Sequence, residues 1–230
     1  MKRVASNYER PLVEASKAGL LELAVSLRSY REALVLVGGW VPYFLIKEHS
    51  NDFLHVGSID IDIVIDPSAV SESEYASIVE ILKGRGWRPW EKNLFSYVKS
   101  ITSTVDCKPY EIRVDFLTTE PEKFVSSHRH MKVQPDLKAR TAEGAGIALE
   151  QRTKLHLEGQ LPDDGEAQVD MWMLDVVGCI GMKGLVLGSR YSEKDAYDLF
   201  MVLDRHRDGP KGVAKLVKPF KDEPLIRDAA

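Results

Sequence analysis

Two cysteines, Cys107 and Cys179, are all that the 230 residues contain. Such sparse use supplies no disulfide framework and no zinc-ligand spacing, and it leans towards the cytosol. Long apolar runs are missing as well. Leu34 to Val37 and Leu174 to Leu187 are too short or too interrupted to span a bilayer, so no membrane partner is expected. The opening Met1-Lys2-Arg3-Val4-Ala5-Ser6-Asn7-Tyr8 lacks the apolar core of a signal peptide, and a cytoplasmic location is expected. Positive charge is not in surplus either. With a formal net charge of −4, any polyanion must be met by a local basic patch rather than by the whole molecule. No repeat or low-complexity segment stands out. What remains is a globular composition, 44% hydrophobic and 29% charged, which excludes a disordered chain. The length suits one large domain or two small ones.

Periodicity supplies the elements. Leu12, Ala15, Leu20, Leu23, Ala24 and Leu27 recur at helical intervals and predict a helix over 10–32. A short strand, Leu34-Val35-Leu36-Val37, stops at Gly38-Gly39, and a helix from Trp40 to His49 follows, with Pro42 tolerated in its first turn. Val56 to Asp66 reads as one strand. Ser71 or Ser73 caps a predicted helix reaching Lys83. Leu94–Val98 and Tyr110–Leu117 read as two more strands, and 120–142 as a polar crossing with short strands near 144–158. Pro162-Asp163-Asp164-Gly165 is a turn and the expected boundary between a catalytic domain (1–160) and a C-terminal helical region (161–230) that completes the active site. Past the turn, a long apolar helix is predicted from Val169 to Leu187, then a second from Ser192 to about Arg207, then a basic tail.

The strand Val56 to Asp66 carries the chemistry. Ile59, Ile61, Ile63 and Ile65 fall on one face, which puts Asp60 and Asp62 together on the other. Paired acids of this kind also occur on the solvated face of an edge strand. Their neighbours point further. Ser58 shares their face, and Gly38-Gly39 closes a strand and opens a helix, where free backbone N–H groups attract an anion. Asp115 lies inside an apolar strand, a costly position for an acid without a partner or a metal. Three carboxylates gripping two magnesium ions, or manganese in their place, would stabilise both oxygens of an in-line phosphoryl displacement. Glu111 competes with Asp115 for the third place, and Arg113 is placed to neutralise either acid.

Gly-Gly, a variable stretch, Ser-x-Asp-x-Asp on a strand and a lone strand Asp together resemble the nucleotidyltransferase superfamily, which includes DNA polymerase beta and the CCA-adding enzymes. Towards the C-terminus, Met182-Lys183-Gly184-Leu185-Val186-Leu187, Arg190 and Lys194-Asp195-Ala196-Tyr197-Asp198-Leu199 are similar to the signature of the AbiEii/AbiGii toxin-type nucleotidyltransferases. The resemblance spans residues 34 to 203 and departs from the pattern at Trp40, commonly Ser or Thr, and at His55-Val56-Gly57, where an Arg is frequent.

It implies an α+β (α/β) fold, a mixed sheet flanked by helices with a C-terminal helical region. It also implies NMP transfer from an NTP to an acceptor hydroxyl, with a tRNA 3′ end, or another RNA or protein hydroxyl, as acceptor and a cognate antitoxin as partner. Asp60, Asp62 and Asp115 are then the metal ligands, and Gly38, Gly39, Ser58, Lys183 and Lys194 the nucleotide contacts. Asp195 serves as general base or positions the acceptor hydroxyl. On a helix Asp195 and Asp198 share a side and Lys194 lies four before Asp198, so the cluster also reads as an ordinary salt-bridged face. An antibiotic-type adenylyltransferase and a non-catalytic nucleotide- or RNA-binding module are the alternatives. His128 and His130, amid Arg129, Lys132, Lys138 and Arg140, read as surface residues of an RNA-facing patch rather than a metal pair. Trp87, Trp90 and Trp172 read as core.

Overall fold

The computed structural model of the chain describes residues 8–48, 55–70, 77–119, 130–163, 165–189 and 192–229. Arg190, His128, Arg129 and the expected caps Ser71 and Ser73 lie outside the described residues.

The first predicted helix is α1 (Arg10–Ser26), which a 3-10 helix (Arg28–Ala33) continues. Then come β1 (Leu34–Val37), α2 (Trp40–Lys47) and β2 (Asp60–Ile65). Next is α3 (Ile78–Gly84), where Ser77 and Glu80 form a reciprocal capping box. β3 (Arg88–Pro89), β4 (Ser96–Thr102) and β5 (Pro109–Thr118) follow, then β6 (His130–Lys132), β7 (Lys138–Thr141) and α4 (Ala145–Glu150). The chain ends with β8 (Arg152–Gln160), β9 (Glu166–Leu174), α5 (Val176–Ser189), α6 (Glu193–Arg205), α7 (Pro210–Val217) and α8 (Pro224–Ala229). Among the described residues no helix is long and apolar enough to cross a membrane.

The described strands form one mixed sheet in the order β3-β4-β5-β2-β1-β9-β8, with β6 and β7 attached through β5. β2 pairs antiparallel with β1 and parallel with β5, in a register that sets Asp62 beside Asp115 and Asp60 beside Arg113. Because paired residues project to the same side of a sheet, Ile61, Ile63 and Val114 share one face and the acids share the other. α1 crosses the apolar face, so closely that a Cβ at Gly19 would stand 2.8 Å from Ile101 and 3.4 Å from Ile112. α2, α4, α5 and α6 gather over the other face and leave a cleft above the acids.

Two expectations are corrected. Val169 to Leu174 is not helical: it is the second half of β9, buried at Met171 and Met173 on every second residue, and it pairs with β1 and β8. Asp175 then accepts from Gly178 N–H at 2.8 Å, and the helix starts at Val176. A run of large apolar residues fits either period, and pairing on both edges selects the strand. Trp87 is core, but Trp90 and Trp172 are only half-buried, Trp172 lying under the Arg152 guanidinium at 4.6 Å. The expected boundary at 160/161 falls in the turn of the β8–β9 hairpin.

Candidate active site

Asp60 and Asp62 on β2, Asp115 on β5, Gly38 and Gly39 between β1 and α2, Ser58, Lys183 on α5, and Lys194 and Asp195 on α6 all line one open cleft of about 880 Å3. Residues up to 157 positions apart in sequence are thus brought together.

The acids form one wall. Arg113 reaches Asp60 Oδ2 at 3.0 Å and Asp115 Oδ1 at 3.1 Å, and its guanidinium lies 4.8 Å from the Trp90 ring. Ser96 Oγ donates to Asp115 Oδ1 at 2.5 Å. Burial raises Asp115 above the usual carboxylate range despite Ser96 and Arg113. Burial, then the charges of Asp115 and Asp60, push Asp62 up to about 7. The acids therefore repel one another even with Arg113 beside them. This surplus of negative charge on hard oxygen donors suits a divalent cation such as magnesium. Among the described residues no three acids, histidines or cysteines already converge as a finished metal cage. Glu111, the rival third acid, is not part of the wall: it is exposed and pairs with Arg88 at 2.7 Å.

The glycines adjoin this wall. Gly38 has φ +73°, and a Cβ there would stand 2.1 Å from Asp62 Oδ2. A Cβ at Gly39 would stand 2.7 Å from Ser58 Oγ and 4.0 Å from Lys194 Nζ. Only glycine lets the turn come so near the carboxylate and the serine. Ser58 Oγ donates to the Asp60 carbonyl at 2.9 Å, which pins the approach to β2. Trp40 is fully buried, its indole N–H 3.3 Å from Ser16 Oγ, so this departure from the family pattern points into the core and away from the cleft.

Cations form the opposite wall. Lys183 Nζ lies 3.0 Å from Asp195 Oδ1 and 2.7 Å from Asp198 Oδ2, and Lys194 pairs with Asp198 Oδ1. Ser192 caps α6 by accepting from Asp195 N–H at 3.3 Å. Burial alone would lower Lys183, but Asp198 and Asp195 hold it above the usual lysine value. Lys194 is lowered, chiefly by burial. Burial would likewise raise Asp198, yet the His55 hydrogen bond and the two lysines hold it down to about 2.

Reasoning from the sequence missed two partners. His55 Nε2 lies 2.7 Å from Asp198 Oδ1, and Ser96 meets Asp115. For Ser96 the sequence carries no signal, since the contact depends on the β4–β5 register. For His55 the only hint is a histidine three residues before the Ser-x-Asp-x-Asp strand.

A mixed sheet flanked by helices, with this order of elements, is a nucleotidyltransferase-like fold. A crystal structure of an antigenic nucleotidyltransferase-like protein from Paracoccidioides brasiliensis shares it, with a TM-score of 0.51 over 95% of this chain and 87% of that chain. The sequences are 14% identical, so the likeness is one of fold. No protein-family model and no curated protein matches the sequence.

Proposed function

We propose that the protein is a metal-dependent nucleotidyltransferase that moves an NMP group from an NTP to an acceptor hydroxyl and releases pyrophosphate. The observation that carries this reading is the meeting of the Gly38-Gly39 turn, three strand carboxylates and two lysines, Lys183 buried and Lys194 half-buried, in one cleft. Asp60 and Asp62 would hold two magnesium or manganese ions, with Asp115 on one of them. Bound there, such ions draw charge from the entering and leaving oxygens.

The chain's own residues do the rest. The N–H groups at the start of α2, with Ser58, cradle phosphate oxygens. Lys183 and Lys194 supply fixed positive charge where the pyrophosphate gathers negative charge. Asp195 orients the acceptor hydroxyl or takes its proton. In the transfer, the acceptor oxygen forms a bond to the α-phosphorus. The bond from that phosphorus to the bridging oxygen breaks, and pyrophosphate leaves with the electron pair.

As acceptor we propose an RNA hydroxyl, a tRNA 3′ end in the first instance. The exposed Arg140 at the cleft, with Lys138 and Lys132 on the same β6–β7 hairpin, supports this as a local basic patch. The AbiEii/AbiGii resemblance supports a toxin role with a cognate antitoxin. Incubation with each labelled NTP, magnesium and total tRNA tests the reading. Label is expected in RNA, and none with Asp60→Ala. Label on an aminoglycoside-like compound instead would replace the RNA acceptor by a small molecule. NTP binding without any transfer would leave a non-catalytic module.

A further inference from the structure

We propose that His55 is a positioning residue that holds Lys183 and Lys194 at the phosphate end of the cleft by fixing Asp198, an inference that rests on the nucleotidyltransferase reading. The His55 and Asp198 side chains are wholly buried. His55 Nδ1 accepts the Gly57 N–H at 3.1 Å. That bond assigns the ring hydrogen to Nε2, which donates to Asp198 Oδ1 at 2.7 Å. Lys194 Nζ stands 3.5 Å from the same ring nitrogen, a distance that suits a neutral imidazole and not a second cation. Burial, with the Lys194 charge, lowers the His55 pKa in agreement. The Tyr197 ring lies alongside at 5.1 Å between centroids.

The arrangement has a reason. Asp198 is a single carboxylate shared by two lysines, Lys183 on Oδ2 and Lys194 on Oδ1. A neutral donor such as His55 fixes the carboxylate's rotation without adding charge, so the lysines stay aimed by it. Lys194 Nζ is thereby kept beside the Gly38-Gly39 turn, 4.0 Å from where a Gly39 Cβ would stand. The same histidine holds Gly57, at φ +82°, and so the approach of Ser58 and Asp60. One imidazole therefore ties the strand that bears the acids to the helix that bears the cations.

Two substitutions separate its two bonds. The amide nitrogen of His55→Gln falls near the Nε2 position and keeps the Asp198 bond. The amide oxygen of His55→Asn falls near Nδ1, keeps the Gly57 bond and leaves Asp198 without its donor. Binding of magnesium tripolyphosphate is measured by calorimetry, beside thermal melting of each variant. His55→Gln is expected to bind within about threefold of the wild type, and His55→Asn about tenfold more weakly or worse, the scale of one hydrogen bond to a charged group.

A histidine that only supports the fold would lower the melting temperature and leave the affinity of the folded protein unchanged. Folded His55→Asn that binds like the wild type overturns the proposal, as does an equal loss in both variants. Should His55→Asn not fold, a tenfold loss in His55→Gln overturns it and retained binding supports it. Wild-type protein that binds neither ATP nor tripolyphosphate would sink the phosphate-transfer reading together with this one. Wild-type binding that His55→Asn leaves intact sinks this one alone.

Discussion

Asp62 is a half-buried acid and Asp198 a fully buried one, and their surroundings move them in opposite directions. Burial and two like charges raise Asp62 to about 7, so its folded form favours the proton. In metal-free protein the stability it contributes is complete below ~4 and lost as pH rises through about 7. Asp62→Asn is therefore expected to flatten that fall, to melt higher than the wild type above neutral pH without metal, and to lose the magnesium-induced rise in melting temperature. Thermal melts with and without magnesium decide it. A variant that melts lower and still responds to magnesium would speak against these acids as the metal site. Asp198 behaves in the reverse sense. Held down to about 2, it contributes stability that is complete above ~4 and lost as pH falls towards 2. Asp198→Asn leaves the half-buried Lys194 without its carboxylate and the buried Lys183 with Asp195 alone, at a cost of about 3 kcal/mol, which denaturant titration at neutral pH will register.

At the scale of the element, the Gly38-Gly39 turn makes the sharper comparison. Gly38→Ala forces a side chain onto a left-handed backbone and against the Asp62 carboxylate, so a loss of about 2 kcal/mol or more and weak NTP binding are expected. Gly39 has φ −72°, and its obstacle is a serine side chain, so Gly39→Ala should be milder in stability. Equal effects would mean that the close approach to Asp62 is not what the turn requires. Ser77→Ala, which removes the α3 cap, is a control expected to cost about 1 kcal/mol and leave NTP binding intact. β2 was legible because its alternation of isoleucine and aspartate has a period of two and no competing pattern. β9 was not, because Val169 to Leu174 runs into a helix of similar composition and only its partners, β1 and β8, set the period. The cleft was legible wherever a residue type is itself unusual, as with strand acids and adjacent glycines. It was illegible where a common residue, Ser96 or His55, gains its role from register or a distant partner.

The whole molecule joins these elements through one sheet. β9 pairs parallel with β1, so the chain beyond residue 160 contributes a strand inside the sheet as well as the helices that carry the cations. A fragment ending at residue 160 would leave β1 paired only with β2, its other edge unpaired, and β8 without its partner β9. Its expected outcome is an insoluble or non-cooperative product, rescued by co-expression with 161–230. A fragment that melts cooperatively alone would establish two separate domains.

The bond between His55 and Asp198 spans 143 positions. In terms of inheritance, two residues at that distance are readily parted by recombination although they act as one unit. Chimaeras between relatives with a crossover anywhere between them would fail unless both parents carried the pair. Libraries of such shuffled chains should therefore keep the two residues together, because a chain that loses Asp198 still carries the lysines it neutralises and a chain that loses His55 alone keeps an Asp198 without its donor.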